Sequence, residues 1–252
     1  IVTARDRHLR IGVAPDTFLG AGHQTVRSMV DAGRIGRVMS ATAIWMGHGH
    51  EEWHPNPSFY YEPGGGPHFD MAPYYLTALV QTLGPIRAVT SMANRAFDTR
   101  TIGSGPLAEN KVPVQVNTHI SGTIEFASGC IGTIIMSYDV WKHSNAILEL
   151  HGTDGSISAP DPNTFGGKVM ISLRGQEWSE VPLGPGPTEN ARSIGLADLC
   201  IGIRSGHPHR CNGNMAQHVL EVMEALDRSA TDCTQIAIES RPQRPATLAG
   251  PN

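Results

Sequence analysis

With 252 residues, 40% of them hydrophobic, the chain is long enough to bury a sizeable core in one or two domains. Its 19 basic and 23 acidic residues leave a net charge of −4 with no basic run, which argues against a nucleic-acid partner held by an electrostatic face. No stretch approaches the ~20 apolar residues that span a bilayer, so no membrane partner is expected either.

In chain order, Ile1–Leu9 reads as the end of a helix and Arg10–Ala14 as a short buried strand stopped by Pro15. Thr25–Ala32 places Val26, Met29 and Val30 on one side of a helix that Gly33 ends, and Val38–Met46 reads as a strand. Strand, helix and strand in such close succession suit the tail of an α/β unit. Residues 47–66 form a polar, aromatic, Pro-rich loop, and a helix from about Asp70 to Thr82 follows, ended by Gly84–Pro85.

Beyond it the pattern turns to strands: Arg87–Arg95, Val114–Phe126, Ile131–Tyr138, Ala146–His151 and Gly155–Ala159, then a hairpin of Val169–Leu173 with Trp178–Val181. Two helices, Ala191–Arg204 and Asn214–Arg228, precede a last strand, Gln235–Ile238, and a Pro-rich tail expected to be disordered. Consecutive strands of this kind predict an α+β architecture, a mostly antiparallel open sheet covered by helices on one face. The four cysteines (Cys130, Cys200, Cys211 and Cys233) form no CxxC pair and read as reduced thiols of a cytoplasmic protein.

The stretch richest in chemistry is Gly64-Gly65-Gly66-Pro67-His68-Phe69-Asp70-Met71-Ala72-Pro73-Tyr74. Glycines let backbone approach a ligand, and Pro73 fits the first turn of a helix, so Asp70 is expected at or just before the helix start, where the dipole favours its ionised form. Tyr74 lies about one turn on, so carboxylate and phenol can face one cleft and exchange a proton with a substrate hydroxyl. An N-cap aspartate and a core tyrosine would give the same spacing.

This segment resembles the GG-x₄-D-x-G-x-H segment of the glucose–fructose oxidoreductase/inositol dehydrogenase/rhizopine catabolism (Gfo/Idh/MocA) family. Ala32-Gly33-Arg34-Ile35-Gly36-Arg37-Val38 resembles the family's G-x-I-G-x-V link, and Gly152-Thr153-Asp154-Gly155 its G-T-x-G hairpin. The resemblance implies hydride transfer between NAD or NADP and a sugar or polyol (cyclitol) hydroxyl, with Asp70 and Tyr74 as catalytic residues.

It also implies three regions: residues 1–46 as the tail of a truncated Rossmann-like domain, 47–240 as the substrate and oligomerisation domain, and 241–252 as the tail. The family's Gly-rich phosphate loop and its Glu-Lys-Pro motif with the catalytic Lys would then precede Ile1, leaving this piece a poor cofactor binder alone. The family's His is here Tyr74, a poorer base at neutral pH.

In the loop, His48, His50, Trp53, His54 and Tyr60, with His68 beyond it, are assigned to the substrate cleft, aromatic rings stacking on a sugar and imidazoles bonding its hydroxyls. Pro15, Asp16 and Thr17, at a strand end, are assigned to the nicotinamide side. The open sheet face is expected to make a homo-oligomer. Two other readings stay open: a metal-dependent hydrolase or isomerase using His48, His50, His54 and Asp70, and a non-catalytic sugar-binding relative. The resemblance assigns no metal.

Overall fold

The computed structural model describes residues 1–248. Helix α1 (Val2–Asp6) and α2 (Ala21–Asp31) precede strand β1 (Val38–Met46). The short helix α3 (Pro67–Asp70) leads into α4 (Ala72–Leu83), then β2 (Ile86–Asn94) and a small hairpin of β3 (Thr99–Thr101) and β4 (Lys111–Pro113). Strands β5 (His119–Phe126), β6 (Ile131–Ser137), β7 (Leu148–Gly152), β8 (Gly155–Ala159), β9 (Val169–Leu173) and β10 (Ser179–Val181) follow. Helices α5 (Ile194–Ser205) and α6 (Gly213–Asp232) and strand β11 (Ile236–Ala237) close the order.

Nine strands form one sheet in the order β10-β9-β8-β7-β1-β6-β5-β2-β11. Every pair is antiparallel except β1 with β6, where Ala43 lies beside Ile134. The expected mostly antiparallel sheet with helices on one face is therefore the observed fold.

Alternation explains the layering: Ile120, Ile124, Phe126, Ile134, Met136, Leu148, Leu150 and Ile157 point inward and are buried, against α2, α4 and α6. Helix α4 is sandwiched between its neighbours, so Tyr75, Leu76, Leu79 and Val80, and even Thr77, Gln81 and Thr82, are buried. Helix α6 begins at Asn212, whose side chain accepts from Met215 N at 3.0 Å, and buries Met215, Val219, Val222, Met223 and Leu226.

Four expectations are corrected. Arg10–Ala14 is not a strand of the sheet: Gly12 makes one bridge to Asn212, and Val13 N donates to Cys211 O. Strand β1, grouped by sequence with residues 1–46, is the middle strand of the large sheet, because Ala41 and Ala43 turn inward between Leu150, Leu148, Gly132 and Ile134. Val114 stands outside β5 and packs with Tyr61, Ile102, Val112 and Tyr138 in a second small core.

The tail is pinned as far as Leu248. Arg244 pairs with Asp31 at 2.5 Å, Arg210 donates to Thr247 O at 2.7 Å, and Leu248 N to Gln24 Oε1 at 2.9 Å. The remainder of the expected disordered tail lies outside the described residues.

Two histidines are sealed into this core. His218 accepts the N–H of Ile86 at Nε2 (2.9 Å), and its Nδ1 meets Ser240 Oγ at 2.7 Å. Burial drives its pKa down to about 4, and does the same to His23. Both are therefore neutral in the fold, while an unfolded histidine titrates near 6.5.

The folded pKa lies below the unfolded one, so this stabilisation is complete above about pH 6.5 and is lost as pH falls towards 4. Each contributes roughly 3 kcal/mol at most. Urea unfolding at pH 7, 5.5 and 4.5 is expected to show that decline, reduced in His218→Gln. A flat stability profile across this window would contradict it.

Candidate active site

The site lies where β1, α3 and the end of β6 meet. The chain leaves β1 at Met46 into the loop, in which Gly49 has φ +93°, and a Cβ there would sit 2.2 Å from Glu51 Oε2 and 2.5 Å from Tyr61 Oη. Only glycine tolerates both conditions. The loop then folds into a turn, His54 N donating to His50 O at 2.8 Å.

Below that turn is a buried ionic cluster. Arg100, 4% exposed, donates to Glu51 Oε1 (2.9 Å), His48 O (3.2 Å) and Tyr138 O (3.1 Å), and pairs with Asp139. Tyr61 Oη donates to the second oxygen of Glu51, and Thr118 Oγ1 to Asp139 Oδ2 at 2.7 Å. Burial first, then the hydrogen bond to Glu51, raises the Tyr61 pKa and keeps it a donor. One guanidinium thus ties the His48–Glu51 loop to the end of β6.

Above it stands Asp70. Its Oδ2 accepts from His50 Nε2 at 2.8 Å and from Tyr138 Oη at 2.9 Å. Burial, then the neighbouring Asp70 charge, raises the Tyr138 pKa, so the phenol remains protonated and donating. Around His50 lie the rings of Tyr60 (4.6 Å between centroids), Tyr138 (5.0 Å), Trp53 (5.2 Å) and Trp45 (5.8 Å). Trp53 is largely exposed at the rim, and Phe59 beside Tyr60 is also exposed. The Tyr60 pKa is raised by burial, then by Asp70 and Tyr74.

Asp70 closes the short turn of α3 rather than capping α4, whose N-cap is Met71. The turn is set by Gly66, with φ +90° and Asn117 O only 2.9 Å from where a Cβ would lie.

Of the other expected residues, Tyr74 and His54 stay near the Tyr60 ring while His68 leaves the site. Tyr74 makes no hydrogen bond to Asp70; its ring packs on the core, with the Arg192 guanidinium 5.7 Å from its centroid. His68 turns away altogether, buried against α6 with Nε2 3.5 Å from Asp227 Oδ1, and lines a different, polar pocket. Two residues earlier on a helical turn, it faces nearly opposite to Asp70.

His48 stacks on Trp141, centroids 3.2 Å apart, and burial first, then Arg100, lowers its pKa. His54 lies among Trp53, Phe59 and Tyr60, its Nδ1 accepting from Asn56 N at 3.1 Å. Among the described residues, the one grouping tight enough to share a metal ion is His48, Glu51 and Glu52, not the four suggested by sequence. Glu51 there is already spent on Arg100 and Tyr61.

At the other side, Asp16 Oδ2 accepts from Ser193 N and Gly195 N, both at 3.0 Å, and so caps α5. Thr17 is buried, and Pro15 O meets Cys211 Sγ at 3.9 Å. Asp16, Gly12, Val13, Ala14, Arg192 and Leu196 line a cavity of about 310 Å³. The site residues that sequence reasoning missed are Trp45, Glu51, Arg100, Tyr138 and Asp139. The alternation of β1 and β6 puts Trp45 and Tyr138 near strand ends, but nothing local in Thr99-Arg100-Thr101 marks Arg100.

Comparison with known proteins bears on the fold and the family. A model of the GFO/IDH/MocA C-terminal domain matches residues 23–158. An NAD binding oxidoreductase from Klebsiella pneumoniae is similar over 94% of this chain and 69% of that one, with TM-score 0.78 and 18% identity. Levoglucosan dehydrogenase in complex with NADH and levoglucosan is similar over 93% of this chain and 68% of that one (TM-score 0.72, 20% identity).

Aldose-aldose oxidoreductase from Caulobacter crescentus, complexed with glycerol, is similar over 94% and 66% (TM-score 0.71, 21% identity). The chain spans about two thirds of the length of these proteins, and as little as 64% of levoglucosan dehydrogenase in its complex with NADH. No curated protein matches it. With more than half its residues matching the family model, the chain belongs to the Gfo/Idh/MocA family of oxidoreductases.

Proposed function

We propose that this chain forms the carbohydrate side of an oxidoreductase that moves a hydride between NAD or NADP and a sugar or cyclitol hydroxyl. The observation that carries the reading is Asp70: both of its hydrogen-bond donors address Oδ2, leaving Oδ1 to receive a substrate hydroxyl. Rings of Trp53, Tyr60 and Trp45 beside it suit the apolar face of a sugar, with His50 close to its hydroxyls. The levoglucosan dehydrogenase structures hold levoglucosan or L-sorbose with NADH, which fits that substrate class.

The residues present fit the ring end of such a cofactor. The cavity beside Gly12–Ala14 and Asp16 is of ring size, and the described residues contain no Gly-rich phosphate turn between strand and helix. A bound nicotinamide supplies the hydride acceptor or donor. This chain binds a hydroxyl of the substrate at Asp70, excludes water with the aromatic rings, and places Tyr74 and Arg192 at the edge.

The test is turnover of NAD or NADP by the intact protein with a panel of aldoses, 1,6-anhydrosugars and cyclitols. Activity on at least one is expected. None with either cofactor would sink the reading.

The open face of the sheet is the proposed homo-oligomer surface. Its rows are Thr90, Thr123, Thr133 and Thr42, then Met92, Ser121, Ile135 and Ile44, side by side in register. Met92 is 82% exposed and Ile131 53%. Such a flat, weakly polar face is unusual for open solvent. Thr133→Lys is expected to reduce the mass of the intact protein in sedimentation to that of a monomer; a monomeric unsubstituted protein would refute the proposal.

A further inference from the structure

Tyr74 was expected to share a cleft with Asp70, and the histidine bonded to Asp70 is His50. A carboxylate accepts and does not donate, so Nε2 carries the proton in this contact. In the neutral imidazole Nδ1 is then the bare acceptor. Among the described residues Nδ1 makes no hydrogen bond, and it is absent from the interior atoms left without a partner, so solvent reaches it.

The ring cannot swing freely. Glu51, its chain neighbour, is locked to Arg100 and Tyr61, and Trp45, Trp53, Tyr60 and Tyr138 surround it. Tyr138 takes up the other side of Oδ2, so Asp70 is held and remains able to stabilise an imidazolium.

We infer that His50 is the general base and acid of the reaction, with Asp70 fixing its tautomer and Tyr138 fixing Asp70. This rests on the hydride-transfer reading above. In the oxidising direction the O–H bond of the reacting hydroxyl, a neighbour of the one held at Asp70 Oδ1, breaks and its proton passes to Nδ1. The C–H bond breaks with its electron pair, which leaves as hydride to the oxidised nicotinamide, and a carbonyl forms. In the reducing direction the same proton returns to the carbonyl oxygen. Imidazole as a chemical group is suited to this work near neutral pH, and phenol is not.

The first readout needs no turnover: a nitrogen–proton correlation spectrum of the His50 ring. A protonated Nε2 and bare Nδ1 at neutral pH, lost in Asp70→Asn, are expected; the opposite tautomer overturns the inference. The second is kinetic, on the intact protein. His50→Gln is expected to lower kcat about a thousandfold with KM within a few-fold, and to abolish the acid limb of the pH profile for oxidation. Added imidazole should restore part of the activity of His50→Ala, while Tyr74→Phe keeps the acid limb.

Turnover of His50→Gln within about threefold of the unsubstituted protein, acid limb intact, overturns this inference alone. No turnover by the unsubstituted protein removes the hydride-transfer reading and this inference with it.

Discussion

In the intact protein, Asp70→Asn is expected to lower kcat for sugar oxidation by about a thousandfold, within the usual range for disabling proton transfer. The side chains are nearly isosteric, so the fold should survive. What changes is polarity: the amide oxygen must turn towards His50 and Tyr138 to satisfy both donors, which sends the amide nitrogen towards the substrate. A group that accepted a hydrogen bond from the substrate then offers one of its own. The imidazolium at His50 also loses its counter-charge. Stopped-flow or steady-state measurement with a saturating sugar checks this, and kcat within tenfold of the unsubstituted value would remove Asp70 from the chemistry.

Arg100→Met is expected to be the most damaging single change to stability, by about 3–5 kcal/mol, because it leaves Glu51 and Asp139 buried without their cation. For a chain of this length that corresponds to a Tm lower by roughly 10 °C. The loss should be mostly recovered when Glu51→Gln and Asp139→Asn are added, since neutral amides carry far less desolvation cost than stranded carboxylates. Calorimetry on the single and triple variants decides it. A triple variant no more stable than Arg100→Met would show that packing, not charge, is what Arg100 supplies.

Much of the sheet was readable because two-residue alternation is a local property. Val38–Met46, Gly155–Ala159 and Val169–Leu173 have the bounds their apolar pattern predicts, and Gly84 and Gly206 stop their helices where expected. Pairing partners are not local. Nothing in Val38–Met46 announces that it lies parallel to Ile131–Ser137, so the strand was grouped with its sequence neighbours instead.

The same limit explains the site. Asp70 stands out through its glycines and Pro73, but Tyr138 reaches it from 68 residues away, and His68 finds its partner, Asp227, on the far helix. Tyr74 and His50 were both visible as candidates. Which of them met Asp70 depended on the turn of α3 ending before α4 begins, a kink that helical spacing alone cannot reveal.

The place of β1 has a consequence for how the chain assembles. On one side of it β2, β5 and β6 make an antiparallel meander, and on the other β7, β8, β9 and β10 make a second, each built from contacts close in sequence. Across the middle, Ser40 must find both Ile131 and His151. Both of these pairings are long closures with an entropy cost, as is that of Ile236 with Val89 at the sheet edge. With Trp45 in β1 and His50 four residues beyond its end, the candidate site exists only where this strand joins the two meanders.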